Sequence, residues 1–271
     1  MRWGRISALV LLAGASFSHA AELKPDTIKA WDAYIQAAQT RMADRVRGSH
    51  FLWTDESADR LNRVRRGEVV VWSAGERAPV NVAHGLIHDW IGAAFIPNVH
   101  LADVMAIVRD YSRYKEYYRP SVVDSKPLSS ATKDDAFSMV LVNQTLLLKR
   151  AIETEYESTY TRRDDHRWYA ETHSTSIREI ENMGRPNERK LTPGAGSGLI
   201  WRLHSFSRFE ERDGGVYVEF EAIALSRDIP FSVRLVVEPI VRRISKTSLL
   251  MSLKQTSEAV HSIGGTLLST R

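Results

Sequence analysis

Two histidines four residues apart, His84 and His88, form the first arrangement in the sequence that could do chemistry. On a helix this spacing would present both imidazoles to one metal ion. Residues 84–96 have the pattern of a strand, however, on which the two positions would lie roughly 13 Å apart. The glutamate of the zinc-protease pattern His-Glu-x-x-His is also missing. We therefore expect no metal site here.

Alternating glutamates mark two further predicted strands, as Glu153, Glu155 and Glu157 on one and as Glu219 and Glu221 on the other. Paired carboxylates can do acid–base work when burial separates their pKa values. Alternation is more typical of the solvated face of an antiparallel sheet. We expect that solvated arrangement, with Arg202 and Arg208 forming cross-strand ion pairs of small net effect.

Motifs for nucleophilic or phosphate chemistry are missing from the sequence. Residues 194–198 are rich in glycine, but they precede a predicted strand and not the helix that a phosphate-binding loop requires. The same segment has glycine where a nucleophile elbow has serine. The sequence contains no cysteine, which excludes thiolate catalysis and disulfides. We predict no catalytic residue and no cofactor.

The charge balance excludes nucleic acid as a partner. A predicted leader, described next, holds two of the 37 basic residues and none of the 33 acidic ones, so the mature chain has a net charge of +2. The basic run at residues 60–66 (RLNRVRR) is typical of a solvated helix face.

Residues 1–20 form a predicted secretory leader. Arg2 and Arg5 precede an apolar run over residues 6–17 and the small-residue segment Ser18-His19-Ala20. The run is shorter than a membrane span needs, so we predict cleavage after Ala20 and a periplasmic or secreted mature protein. No later segment is apolar for long enough to span a bilayer.

Residues 21–81 form a predicted N-terminal helical extension. Apolar residues at helical spacing predict a helix from Lys24 to Arg47, and a second helix is predicted from Glu56 to Arg66. The first helix could pack on the outside of a sheet, or it could be an interaction or lid helix. Both interpretations stay open.

Residues 82–262 form the predicted main domain, followed by a small polar tail at 263–271. After the strand at 84–96 come helices at 101–110 and 112–118. Six more strands are predicted at 121–127, 135–148, 151–161, 167–180, 199–210 and 215–227. The polar connection at 182–198 is long enough to be functional, and whether it acts as a lid stays open.

A long C-terminal helix closes the predicted domain. Its apolar stripe consists of Val237, Ile240, Val241, Ile244 and Met251, and Pro239 is acceptable as a first-turn residue.

Two runs in this element order resemble a known superfamily. LADVMAIVRDYSRYKEYYRPSVVDSK at 101–126 and WRLHSFSRFEERDGGVYVEFEAIALSRDIP at 201–230 are similar to segments of START-like (SRPBCC, helix-grip) proteins, in particular of secreted bacterial members. The superfamily includes lipid-transfer domains, polyketide cyclases and coenzyme-Q-binding proteins. The resemblance covers residues 84–262 and implies an α+β helix-grip fold, in which a seven-stranded curved antiparallel sheet wraps around the C-terminal helix.

Alternation along the strands predicts an inner face with many small side chains. In the last strand Val216, Val218, Phe220, Ala222 and Ala224 share one side. Serine, threonine and alanine cannot fill the space between a curved sheet and a helix, which favours a ligand. The predicted ligand-binding residues are Tyr114, Tyr118, Tyr156, Trp168, Thr172, Trp201, Phe220 and Met251.

We expect non-catalytic binding or transport of a lipid, quinone or similar apolar molecule in the cell envelope. One alternative is a cyclase or hydrolase on the same fold, with acid–base help from His173, His204 or a buried glutamate. The other is an envelope interaction module that uses the N-terminal helix. The predicted partner is an apolar small molecule or lipid, and transient membrane contact stays open.

Overall fold

The computed structural model describes residues 22–76, 78–129, 135–144 and 149–268. The predicted leader at 1–20 lies outside the described residues. The helices are α1 (Pro25–Arg47), α2 (Ala58–Arg65), α3 (Leu101–Val108), α4 (Tyr114–Tyr117) and α5 (Arg234–Leu268). Single 3-10 turns lie at Trp53–Glu56, Tyr111–Arg113 and Phe231–Val233. None of the described helices is both long and apolar enough to cross a membrane.

The described strands form one antiparallel sheet. They are β1 (Val70–Ser73), β2 (Val80–Val82), β3 (Gly85–Pro97), β4 (Val122–Leu128), β5 (Asp135–Gln144), β6 (Lys149–Arg162), β7 (Arg167–Glu181), β8 (Arg189–Lys190), β9 (Arg202–Arg212) and β10 (Gly215–Arg227). Their order is β1-β3-β10-β9-β7-β6-β5-β4, with β2 paired to β3 and β8 paired to β7.

All seven predicted strands are confirmed, as β3 to β7, β9 and β10. The sheet has ten strands because three short segments, β1, β2 and β8, pair along free edges of β3 and β7. The β9–β10 hairpin turns at Asp213 and Gly214, whose φ values of 57° and 77° are those that a two-residue hairpin requires. This turn fixes the register in which Glu219 faces Arg208 and Ala222 faces Ser205.

The N-terminal helix α1 packs across the outer face of the sheet, as one of the two sequence interpretations proposed. Its buried side chains Trp31, Ile35, Ala38 and Met42 contact Ile87, Phe206, Ile223 and Leu225 on β3, β9 and β10. Burial of each large apolar side chain contributes about 1.5–3 kcal/mol. The extension is therefore part of the folded core.

Residues 51–65 continue this outer layer. The side chains of Phe51, Leu52, Trp53 and Val64 are buried against Val70, Ile91, Ala93 and Tyr217. Ser57 caps α2, because its Oγ accepts from the Arg60 N–H at 3.4 Å. Together α1 and residues 51–65 cover the outer faces of β3, β9 and β10.

The expectation that Glu219 and Glu221 lie on a solvated face is wrong. Their exposed fractions are 0% and 2%, and that of Arg208 is 1%. The outer layer covers this part of the sheet, which alternation along a strand cannot reveal. Glu153, Glu155 and Glu157 lie on β6, and their side chains keep 15%, 34% and 37% exposure.

The C-terminal helix α5 packs on the inner face through its second half. Leu249, Leu253, Ala259 and Val260 are buried together with Trp90, Ala94, Phe209, Val216 and Val218. Among the described residues 234–248, none is buried. The sheet and this helix make the α+β helix-grip fold that the sequence predicted.

Three details of α5 differ from the prediction. Pro239 lies inside the helix and not in its first turn. Met251 and Ile240 are 40% and 50% exposed, because the second half buries a different stripe, defined by Leu249, Leu253 and Val260. The helix continues to Leu268, beyond the predicted start of the tail at residue 263.

Candidate functional site

The small side chains on the inner face of β9 and β10, on the side of the sheet where α5 packs, define the surface called the groove. Ser205, Ser207, Ala222 and Ala224 point to this side, and all four stay partly accessible to solvent. Their outward-pointing neighbours Phe206, Glu221 and Ile223 are buried. Solvent therefore reaches these strands from the inner face, where the side chains are small.

A cluster of stacked aromatic rings lines the inner face on β5 and β6. Phe137 lies with its ring centroid 4.2 Å from that of Tyr111 and 5.0 Å from that of Tyr156. The Tyr114 ring is 5.0 Å from the Tyr118 ring. These contacts give the groove one rigid, largely apolar end.

The tyrosine hydroxyls of this cluster stay protonated. Burial raises the pKa of Tyr114, Tyr118 and Tyr156 above the ordinary value. The Tyr118 hydroxyl lies 3.1 Å from Thr256 Oγ1 on α5, which joins the aromatic cluster to the C-terminal helix.

Six of the eight predicted ligand-binding residues lie on or beside this inner face. Tyr114 and Tyr156 belong to the aromatic cluster, and Tyr118 stacks on it. Trp168 and Phe220 are partly buried against the core under α5. The Thr172 Oγ1 lies 2.5 Å from Ser158 Oγ on β6.

The other two predicted residues lie elsewhere. Trp201 packs with Trp31 and Ile35 of α1 on the outer face, so its assignment to the inner face is wrong. Trp201 precedes the first residue of β9, where the alternation of the strand does not yet apply. Met251 is exposed on α5, as described above.

The histidines that were considered for acid–base chemistry point away from the groove. His204 Nε2 lies 2.9 Å from Glu171 Oε1, which also accepts from Gln39 of α1 at 2.7 Å. His173 pairs in register with His204 and is half exposed on the same outer side. Neither imidazole can reach a molecule in the groove.

The pair His84 and His88 is separated by the start of β3. His84 lies in the preceding turn with φ 56°, whereas His88 is 4% exposed on the inner face. His88 Nε2 lies 2.9 Å from Ser226 Oγ, and burial lowers the pKa of His88 to about 4. Within the described ranges, no three metal-ligating side chains converge on one point.

The connection at 182–198 is fastened to the sheet. Ser197 donates to Glu179 from its N–H at 3.0 Å and from its hydroxyl at 2.9 Å, and Lys190 Nζ lies 2.7 Å from Glu153. Together with β7 this connection borders a cavity of about 220 Å³ lined by Ile177, Glu179, Gly194, Trp201 and Arg202, among others.

Comparison with known proteins yields similarity to solved structures only. No family model matches the sequence, and no curated protein matches it. A STAR-related lipid transfer protein from Xanthomonas axonopodis is 13% identical, with 68% of this chain and 97% of that chain covered and a TM-score of 0.40. Human STARD10 is 10% identical, with coverage of 80% and 83% and a TM-score of 0.44.

The Zhui aromatase/cyclase from Streptomyces sp. R1128 is also similar, at 9% identity, with 65% of this chain and 94% of that chain covered and a TM-score of 0.40. The named proteins thus include a lipid transfer protein and an aromatase/cyclase. The chain has the helix-grip fold by its own strand order and helix placement, and these distant similarities concern the fold alone.

Proposed function

We propose that this protein binds a hydrophobic small molecule, a lipid, quinone or similar compound, in the groove between the inner face of the sheet and α5. One observation carries the proposal: Ser205, Ser207 and Ala222 stay partly accessible on strands whose outer faces are buried. A partly accessible row of small side chains beside a helix supports a site that a small molecule could occupy.

The lining of the groove favours binding over catalysis. Aromatic rings with a few hydroxyls are typical of sites that hold an apolar molecule and orient it. Catalysis by a cyclase or hydrolase would need an acid and a base within hydrogen-bond reach of the substrate. His173 and His204 face outward, and His88 is held uncharged by burial.

We propose that the protein binds its ligand in the cell envelope. We also propose that it contacts an anionic lipid surface transiently. The leader supports export. Phe231, Leu235 and Val236 are 89%, 92% and 64% exposed at the start of α5. Exposed Arg242, Arg243 and Lys246 follow along the helix. Apolar side chains beside basic ones are the composition of helices that lie in a membrane interface.

Displacement of the fluorescent dye Nile red by decylubiquinone tests the groove. The mature protein should bind the dye and release it as the quinone is added. Ser205→Phe fills the groove and should abolish both signals, because a phenyl ring occupies the space beside Ala222 and Thr172. Val123→Phe adds the same ring at a 43% exposed position of β4 and should bind like the wild type.

Equal binding by wild type and Ser205→Phe would place the dye elsewhere and contradict the proposal. Circular dichroism of both variants establishes that they are folded.

A further inference from the structure

Two polar atoms on the inner face of β3 are buried without a hydrogen-bond partner. They are Nδ1 of His88 and Nε1 of Trp90. The exposed fractions of the two residues are 4% and 6%. A buried polar atom without a partner costs free energy, and it usually marks a place where water or a ligand completes the bond.

The two atoms belong to one patch of the groove. His88 and Trp90 are two residues apart on a strand, so both side chains point to the same side, roughly 7 Å apart at their Cα atoms. Their partners across the β3–β10 pairing are Ala224 and Ala222. Neither alanine has a side-chain atom beyond Cβ, and both residues stay partly accessible to solvent.

The hydrogen bonds of Ser226 assign the proton of His88 to one nitrogen. The Ser226 hydroxyl lies 3.2 Å from the Arg227 carbonyl, to which it can donate. With that bond made, its oxygen accepts from His88 Nε2 at 2.9 Å, and Nε2 is assigned as the protonated nitrogen. In a neutral imidazole the other nitrogen is an acceptor. The patch thus offers one acceptor, His88 Nδ1, and one donor, the indole N–H of Trp90.

We propose that His88 and Trp90 form a polar anchor for an uncharged hydroxyl group at the polar end of the groove's ligand. This inference rests on the proposed function and names the chemical class of the ligand. The hydroxyl donates to His88 Nδ1, and its oxygen accepts from Trp90 Nε1. An apolar alcohol or phenol satisfies both atoms, whereas an ether or ketone satisfies only Trp90.

Charge argues against an anionic head group at the anchor. Burial lowers the pKa of His88 to about 4, so the imidazole is neutral near pH 7 and supplies no positive charge. A carboxylate has no proton to give to Nδ1 and would be desolvated beside two alanines.

Three matched probes test the anchor: 1-tetradecanol, its methyl ether and tetradecanoate, each measured by displacement of Nile red from the mature protein. The alcohol should bind about tenfold more tightly than the ether, since only the alcohol donates to His88. It should also bind more tightly than the carboxylate. Tighter binding of the carboxylate would overturn the assignment to a neutral hydroxyl.

Two variants separate the roles of the anchor residues. His88→Phe should weaken binding of the alcohol about tenfold and leave the ether unchanged. Trp90→Phe removes the donor together with part of the ring and should weaken both probes. The control is Trp72→Phe, which alters a 38% exposed tryptophan on β1 and should keep the preference for the alcohol over the ether.

The indole N–H resonance of Trp90 gives a readout that does not depend on affinity. In protein labelled with 15N-tryptophan this signal should shift when tetradecanol is added. If all three probes bind equally and neither variant changes them, water alone occupies the anchor and the inference fails, while the groove proposal stands. If no probe displaces the dye, the groove proposal itself fails.

Discussion

Arg208 Nε donates to Glu219 Oε2 at 3.0 Å across two neighbouring strands, and the two side chains are 1% and 0% exposed. Glu219 also accepts from the backbone N–H groups of Trp53 and Thr54, both at 2.8 Å. The ion pair therefore joins the outer face of the sheet to the N-terminal layer that covers it.

Removal of the carboxylate should be strongly destabilising. Glu219→Ala leaves a buried guanidinium and two backbone donors without partners, so we expect the free energy of unfolding in urea to fall by about 3–5 kcal/mol. Glu155→Ala removes a half-exposed carboxylate 3.7 Å from Arg178 and should cost less than about 1 kcal/mol. Equal losses in the two variants would show that the buried pair adds no stability.

The α1 helix should contribute to stability as a core element. Trp31→Ala empties a site that is 7% exposed, and we expect a loss of about 3–5 kcal/mol in the free energy of unfolding. Ile28→Ala on the same helix removes a side chain that is 36% exposed, and should cost much less. A Trp31→Ala protein as stable as Ile28→Ala would contradict the packing of α1 on the sheet.

Asp89 should make the protein less stable as the pH rises. It is 1% exposed and lies beneath α1, where Tyr34 donates to it at 2.9 Å and Arg41 lies 3.4 Å away. Burial, with repulsion from Glu221, raises the pKa of Asp89 from 3.8 to about 7. The folded state therefore binds more protons than the unfolded state between these values, and stability falls as pH rises from about 4 to 7.

Urea unfolding at pH 5 and pH 8 checks this dependence on Asp89. The wild type should lose stability between the two pH values, and Asp89→Asn should lose less. The control is Asp124→Asn, which changes an exposed carboxylate on β4 and should keep the pH dependence of the wild type. An unchanged pH dependence in Asp89→Asn would assign the effect to other groups.

The exposed start of α5 should bind anionic membranes. We expect the mature protein to sediment with vesicles that contain phosphatidylglycerol and to be released by salt, since exposed charges are screened. Leu235→Asp should abolish sedimentation, whereas Val123→Asp on β4 should not. Equal binding to neutral and to anionic vesicles would contradict this prediction. A wild-type dimer that Leu235→Asp dissociates would contradict it too, because the exposed start of α5 would then be a dimer contact.

The strands and much of the inner face could be predicted from the sequence, because alternation and turn residues are local signals. What covers each face is not local. The burial of Glu219 depends on a layer some 165 positions away in the sequence. Simple alternation along β7 would put Ser176 on the same side as Ser174, but a β-bulge in the β6–β7 pairing shifts Ser176 into register with Glu155 and onto the other side.

The proposed anchor residues have no comparable signal in the sequence. The spacing of His84 and His88 indicates only a metal motif, and the alternation of His88 with Trp90 on one strand face does not distinguish them from ordinary core residues. Their missing hydrogen-bond partners can be recognised only from the packed structure.

The decisive measurement is native mass spectrometry of the protein purified from its own organism, with organic extraction of what dissociates. A reproducible, stoichiometric apolar compound is the predicted result. Protein that is repeatedly empty, and that binds neither added lipid nor added quinone, would contradict the groove as a ligand site.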